Sequence, residues 1–482
     1  MFNKNELLQI GLIEMIKKDF LKYLKSASKY KDDFRKILAE LVKFPTVAYR
    51  DTEGISDCAN SLESYLKSYG YDAKQYPTAE DQAPVVYGEK NVGAKKTLLF
   101  YHHYDVQPEG NHDLWDSSPW ELTERDGRLY GRGTCDDKGE FVISLLAMKL
   151  LEDSLGKLPV NVKFVLEGEE EAGSENLPKF TTKHPELLKS DGCVWEGAIL
   201  FPEGDDLEKY VTPGYLVCGL KGNAYFEITT KDPPFFPRTD VHSGSAAFTP
   251  NAAWSLVWAL STLKDSKENI LIDGFNELVI EPLEEDIEVI REHGTEFEEN
   301  FKKDYELDSL LLNRTGLDLN VTLSLKPSLS ICGLKSGFQG EGSKTIVPAK
   351  AMAKVDFRLV PNLTVEKVHE LLLKHFAKHG IDYLDIKLMP GYDPAKTSVN
   401  HPYVKLNRKI AKEILAPQPV YTIPIAYGSG PAYLFTEHTA LCMAGNDASG
   451  LNGHAPNENI PINCILPSIA FNAVIAQYLA KE

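Results

Sequence analysis

The chain has 482 residues, more than one compact core sustains, so two domains are expected. Its 52 Lys+Arg against 70 Asp+Glu leave a formal net charge of −18, which argues against nucleic-acid and anionic-membrane partners, since both call for a basic surface. The seven cysteines are scattered, odd in number and free of C-x-x-C, a pattern that argues against a disulfide framework and for a reducing, cytoplasmic location. The N-terminus is charged throughout and reads as no signal peptide, and no apolar run reads as long enough to span a bilayer.

Taken in chain order, the first fifty residues read as helix, with Phe34, Ile37, Leu38 and Leu41 on one face and Pro45 ending the run. Residues 97–101 (TLLFY) read as a short apolar strand, 140–151 as a buried helix and 160–166 as another strand. This alternation predicts an α/β fold with a mostly parallel central sheet, in which chemistry sits on loops past the carboxyl ends of strands. From about residue 215 the pattern changes. Residues 215–230 read as one strand, 246–263 as a helix carrying Trp254 and Trp258, and 328–333 and 349–359 as strands. Residues 365–379 read as a helix with Val365, Val368, Leu372 and Phe376 in register, and 384–389 as a last strand. The order β-α-β-β-α-β is ferredoxin-like. An acidic, mostly helical insertion at 264–320 interrupts it, and after Pro390 the α/β style resumes. The expectation is a first domain built from 1–213 and 393–482, with an α+β domain inserted at 214–392 and hinges near 213–214 and 390–394.

Four polar clusters stand out. The first is YHHYD at 101–105, where His103 and Asp105 point to one side of an extended chain. The second is GRGTCDDKG at 131–139, with two adjacent carboxylates just before a helix. The third, EGEEEAGS at 167–174, places four glutamates at the end of an apolar strand. The fourth is GNDASGLNGHAPNE at 445–458, with His454 in a Gly- and Asn-rich loop. Each alone has an ordinary reading: a structural His–carboxylate pair, helix capping by Asp136 or Asp137, a solvated charge run, a loop histidine. Together they read differently. Zinc takes His and carboxylate ligands, and two zinc ions need one shared carboxylate. His103, Asp136, Glu171 and His454 supply much of that set, and DGCVWEG at 191–197 ends a further apolar run in Glu196.

With these motifs assembled, the chain resembles the zinc-dependent dipeptidase/aminoacylase-type metallopeptidase family. That family includes cytosolic dipeptidases, carnosinases, glutamate carboxypeptidase, acetylornithine deacetylase and succinyl-diaminopimelate desuccinylase. HHYDVQP (102–108), GRGTCDDKG, EEAGS (170–174), WEG (195–197) and GHAPNE (453–458) carry the resemblance across the whole chain and in the family's order. It implies a di-zinc exopeptidase-like catalytic domain with an inserted ferredoxin-like lid and dimerisation domain. It further implies one zinc held by His103, Asp136 and Glu196 and a second by Asp136, Glu171 and His454, with Mn or Co as alternatives. Asp105 would orient His103, and Glu170 would serve as general base, passing a proton from the attacking water to the leaving amine. The family usually carries Gly before the ligand histidine, where this chain has His102.

In the inserted domain, DVHSG (240–244) resembles the segment supplying an oxyanion-stabilising histidine, here His242, often from a partner subunit. KTIVP (344–348) and DFRLVP (356–361) resemble segments that hold the substrate's carboxylate, assigning Thr345 and Arg358 to substrate binding. GSGP at 428–431, with Ser429, resembles a substrate-contacting loop. On pattern alone His242 also reads as a turn residue and Arg358 as a strand-surface residue. The expectation is a homodimeric, cytoplasmic di-zinc metallopeptidase, of dipeptidase or carboxypeptidase type, acting on dipeptides or short peptides with a free C-terminal carboxylate. The alternative is an N-acyl amino acid deacylase or desuccinylase, and a third reading is a non-catalytic metal-binding protein on the same scaffold.

Overall fold

The computed structural model describes residues 4–47, 52–80, 82–446 and 450–482. The chain divides into two compact units: Met1–Gly219, Thr397–Pro424 and Leu434–Glu482 in the first, Leu220–Lys396 and Ile425–Tyr433 in the second. In chain order the strands of the two main sheets are β1 (Asp72–Tyr76), β2 (Val85–Lys90), β3 (Thr97–His103), β4 (Asn161–Glu167), β5 (Gly192–Trp195) and β6 (Gly214–Val217). They continue as β7 (Gly222–Thr230), β8 (Ser328–Ser336), β9 (Ala351–Leu359), β10 (Leu384–Leu388), β11 (Val420–Ile423) and β12 (Leu441–Asn446).

The first unit is built on an eight-stranded sheet of order β1-β2-β4-β3-β5-β12-β6-β11. Its centre is parallel: β3 pairs with β4 and β5, and β12 with β5. Leu98, Leu99, Phe100 and Tyr101 of β3 are all fully buried. A continuous apolar run of this kind marks a strand covered on both faces. Helix Lys138–Leu155 buries Phe141, Val142, Leu145 and Leu146 and ends at Gly156, whose φ of 77° supplies the left-handed cap. Helix Ile462–Leu479 is long and apolar enough to cross a membrane, which corrects the expectation that no run has that length; it is 78% buried inside the fold, as a core helix is. What matters for the site is register. His103 pairs with Glu167 and Tyr101 with Trp195, so β3, β4 and β5 deliver the residues that follow them to one edge of the sheet.

The second unit is a four-stranded antiparallel sheet of order β8-β9-β7-β10. With helices Ala252–Ser261 and Val365–Lys378 this is the ferredoxin-like arrangement expected. Alternate residues of β7 are buried, as in a sheet packed on one face. Ala224, Phe226 and Ile228 of β7 share a core with Val355 and Phe357 of β9 and Leu256, Leu372 and Phe376 of the helices. A separate two-stranded ribbon pairs Val241–His242 with Ile346–Val347.

Three boundaries differ from the sequence reading. Residues 215–230 are not one strand: β6 belongs to the large sheet and β7 to the small one. The helix expected at 246–263 covers only Ala252–Ser261, because Pro250 precedes it and the Asn251 side chain caps it by accepting the Trp254 N–H. The units meet in sequence at 219/220 and 396/397, and residues 425–433 return to the second unit.

Candidate metal centre

Each cluster is placed by a different element. His103 is the last residue of β3, Glu170 and Glu171 lie on the short 3-10 turn Glu170–Ala172 after β4, and Glu196 follows β5 directly. Asp136 sits in the tight loop before helix Lys138–Leu155, where a Cβ on Gly139 would lie 2.0 Å from the Thr134 carbonyl oxygen. His454 lies in the loop before helix Ile462–Leu479; positions 447–449 of the fourth cluster fall outside the described residues.

The fold brings these residues together around one carboxylate. Asp136 Oδ1 lies 2.9 Å from His103 Nε2, and Asp136 Oδ2 lies 2.9 Å from His454 Nε2. His454 Nε2 is also 3.2 Å from Glu171 Oε2. Asp136, Glu171 and His454 each offer a donor atom within 4.8 Å of the others. Two of the four neighbouring glutamates are otherwise engaged. Glu167 accepts the Tyr101 hydroxyl at 2.6 Å, and Glu169 accepts the Asn176 backbone N–H at 3.1 Å. Glu170 and Glu171 lie on the turn beside Asp105 and Gln107.

The electrostatics are those of a carboxylate cluster buried around two imidazoles. Burial opposes ionisation of Asp136, but His103 and His454 hold its carboxyl below the usual range. Hydrogen bonding to Asp136 and then Glu171 pushes His454 up to about 10. Burial opposes charge on His103, yet Asp105 and Asp136 hold it well above the ordinary imidazole value. Burial, reinforced by the neighbouring Asp105, Glu171 and Asp136, pushes Glu170 up to about 7. Glu196 is raised well above its ordinary value by burial first and Glu170 second, and its Oε1 is buried without a hydrogen-bond partner.

Gln107, Arg132 and Glu458 support the cluster although the sequence assigns them no role. Asp105 was expected to orient His103. Its carboxylate is 3.6 Å from His103 Nδ1, whereas its backbone carbonyl is the nearer partner at 3.1 Å. The Asp105 carboxylate also accepts the backbone N–H groups of Glu170 at 3.1 Å and Glu171 at 2.9 Å. Gln107 Nε2 donates to Glu171 Oε2 at 2.9 Å. His102, the neighbour of His103, faces the other way: its ring nitrogens lie 2.8 Å from Asp137 Oδ2 and 3.0 Å from Ser144 Oγ. Arg132 and Glu458 form a buried ion pair at 2.7 Å. Both stand inside the quoted motifs, and two opposite charges within Gly-rich segments were the available signal.

In the second unit, the ribbon joins two of the expected segments: the Ser243 N–H donates to the Thr345 carbonyl at 3.0 Å. His242 and Thr345 are both exposed, and His242 Nδ1 accepts the Gly244 N–H at 3.0 Å. Arg358 on β9 donates from Nε to Asp356 at 2.7 Å and from Nη1 to Ser429 Oγ at 2.9 Å. Two residues assigned to substrate binding, 71 positions apart, are thus in direct contact.

The donors of the first unit fit divalent metal ions. Two ligands on one tetrahedral zinc, each about 2.1 Å from it, stand about 3.4 Å apart. The 2.9 Å and 3.2 Å contacts around Asp136 and His454 are close to that spacing. The orphaned Glu196 oxygen and the raised carboxyls show a charge excess that cations would offset.

Residues 99–478 match peptidase family M20/M25/M40. The chain is 30% identical to the Beta-Ala-His dipeptidase of Rattus norvegicus over 385 residues, covering 77% of this chain and 76% of that one. It is 31% identical to Cys-Gly metallodipeptidase dug1 of Schizosaccharomyces pombe over 382 residues, covering 73% and 74%. Among solved structures, an M20 family metallo-carboxypeptidase from Sulfolobus solfataricus superposes with a TM-score of 0.82 at 35% identity, covering 93% of this chain and 99% of that one. Human carnosine dipeptidase 1 superposes with a TM-score of 0.74 at 25% identity, covering 96% and 99%. Fold, donor cluster and sequence match agree: the chain belongs to peptidase family M20/M25/M40 and is a metallopeptidase.

Proposed function

We propose that this protein is a di-zinc dipeptidase that cleaves the amide bond of dipeptides or short peptides bearing a free C-terminal carboxylate. The observation that carries the reading is Asp136, whose two oxygens each face a different imidazole, His103 and His454, as a shared ligand must. In this reading His103, Asp136 and Glu196 would hold one ion and Asp136, Glu171 and His454 the other, with Mn or Co able to replace zinc. The chemistry supplied by the bound ions is polarisation of the scissile carbonyl and acidification of the attacking water.

The chain's own residues do the rest. Glu170, on the turn beside the proposed ligand Glu171, takes a proton from the attacking water and delivers it to the leaving amine. Asp105 holds the turn that carries Glu170 and Glu171. Arg358, its guanidinium plane fixed by Asp356 and Ser429, pairs with the substrate's terminal carboxylate, with Thr345 beside His242 on the ribbon. His242 donates a hydrogen bond to the oxyanion as it develops.

A homodimer is supported by Phe248, Trp254 and Trp258 of the second unit, which are 81%, 55% and 60% exposed. A cytoplasmic location is supported by the cysteines, all seven of which are free. The test of function is a panel of dipeptides and N-acetyl amino acids offered to zinc-loaded protein, scored by released amine. Hydrolysis of dipeptides is expected. Turnover of the N-acyl amino acids alone would establish the deacylase reading instead.

A further inference from the structure

We propose that the buried Glu458–Arg132 pair is a positioning device that sets Asp136 against His454, and that it governs the affinity of one of the two metal positions. The inference rests on the ligand reading given above. Glu458 is fully buried and Arg132 is 1% exposed. Burying such a pair is costly, and replacement by apolar residues is often no worse for stability, so stability alone is a weak reason to keep it. Its hydrogen bonds show what it does. Glu458 Oε2 accepts Arg132 Nη1 at 2.7 Å and the Gly133 N–H at 3.1 Å. Glu458 Oε1 accepts the backbone N–H groups of Cys135 at 3.1 Å and Asp136 at 3.2 Å, with the Cys135 thiol at 3.4 Å. One carboxylate therefore gathers the loop on which Asp136 is carried.

Arg132 reaches a third segment, donating from Nη2 to the Pro108 carbonyl at 3.0 Å, just past His103 and Asp105. Its guanidinium is centred 5.4 Å from the Trp115 ring. Glu458 lies four residues after His454. Between Asn452 and Asn457 three non-glycine residues, Asn452, His454 and Asn457, have φ of 54°, 61° and 61°. Backbone of this kind persists only where surrounding contacts impose it. The asymmetry follows. His103 ends β3 and Glu196 directly follows β5, so the sheet itself places them. His454 lies in the loop between β12, which ends at Asn446, and Glu458, and Glu458 ties the far end of that loop to the Asp136 backbone.

The 482-residue chain carries the test, as Glu458→Gln and Arg132→Lys variants. Each is stripped of metal, titrated with zinc by calorimetry, and melted in its metal-free form. We expect cooperative melting close to wild type and one zinc equivalent bound as in wild type. The other equivalent should bind ~10–100-fold more weakly, the usual cost of losing a group that orients a ligand. kcat should fall with KM little changed and recover at high zinc. Wild-type affinity at both positions overturns the proposal. So does an equal loss at both positions accompanied by a lower melting temperature, or failure of both variants to fold, since the pair would then be structural only. His454→Ala is the control. If it loses one equivalent while Glu458→Gln loses none, only this proposal fails; if it keeps both, the ligand reading itself fails.

Discussion

Asp105 Oδ2 accepts the backbone N–H of Glu171 at 2.9 Å, with Oδ1 accepting that of Glu170 at 3.1 Å. The carboxylate that faces His103 therefore also fixes the turn carrying the proposed base and one proposed ligand. A fixed base is worth most when the proton must move at one place.

Glu170→Gln keeps the shape of the side chain and removes the proton acceptor. kcat should fall by at least ~10²–10⁴-fold, the usual contribution of general-base catalysis, while bound zinc stays at the wild-type level. Near-normal kcat in this variant would remove Glu170 from the role of base.

Metal binding should release protons. In the metal-free protein His454 is raised from 6.5 to about 10, so it holds a proton at pH 8 that a metal ion must displace. The sign follows. The contribution of His454 to metal-free stability is fully present below its unfolded value and is lost as pH rises through about 10. Zinc affinity should climb by up to roughly tenfold per pH unit over the same window as this one competing proton leaves. Calorimetry at pH 8 in buffers of different ionisation enthalpy should count at least about one proton released per chain. A proton count of zero would contradict the arrangement around Asp136.

The grip on the substrate's carboxylate predicts that C-terminally amidated dipeptides are poor substrates. Arg358→Ala should lower kcat/KM for free acids by about 10–150-fold, equivalent to a charge-assisted hydrogen bond of ~1.5–3 kcal/mol, and affect amides less. Equal hydrolysis of acid and amide by the unmodified protein would remove Arg358 from that role.

Much of this was legible because the proposed ligands stand at the ends of short apolar strands or in glycine-rich loops, where a charged residue has little structural reason to be. The ferredoxin-like order was legible from alternating strands and the Val365–Phe376 face. The break between β6 and β7 was not, because GYLVCGLKGNAYFEI keeps strand propensity throughout and only the choice of sheet partner divides it. The i, i+2 spacing of His103 and Asp105 shows that the two side chains share a side, but not that backbone N–H groups from 65 residues away also bond the Asp105 carboxylate. Glu458 and Arg132 were visible as motif letters, but their pairing joins residues 326 positions apart.

If His242 acts on the neighbouring subunit's site, two inactive variants should complement each other. Mixing Glu170→Gln and His242→Ala proteins under confirmed subunit exchange gives about half heterodimers, each with one intact site, so roughly a quarter of wild-type activity should return. No recovery would place His242 at its own chain's site or outside catalysis.

The shared role of Asp136 is the centre of the account, and anomalous diffraction at the zinc edge from crystals of zinc-loaded protein tests it most directly. Two peaks are predicted, each within ligand distance of one Asp136 oxygen, about 2.0–2.2 Å, one beside His103 and Glu196 and the other beside Glu171 and His454. A single peak, or two peaks that share no Asp136 carboxylate, would contradict it.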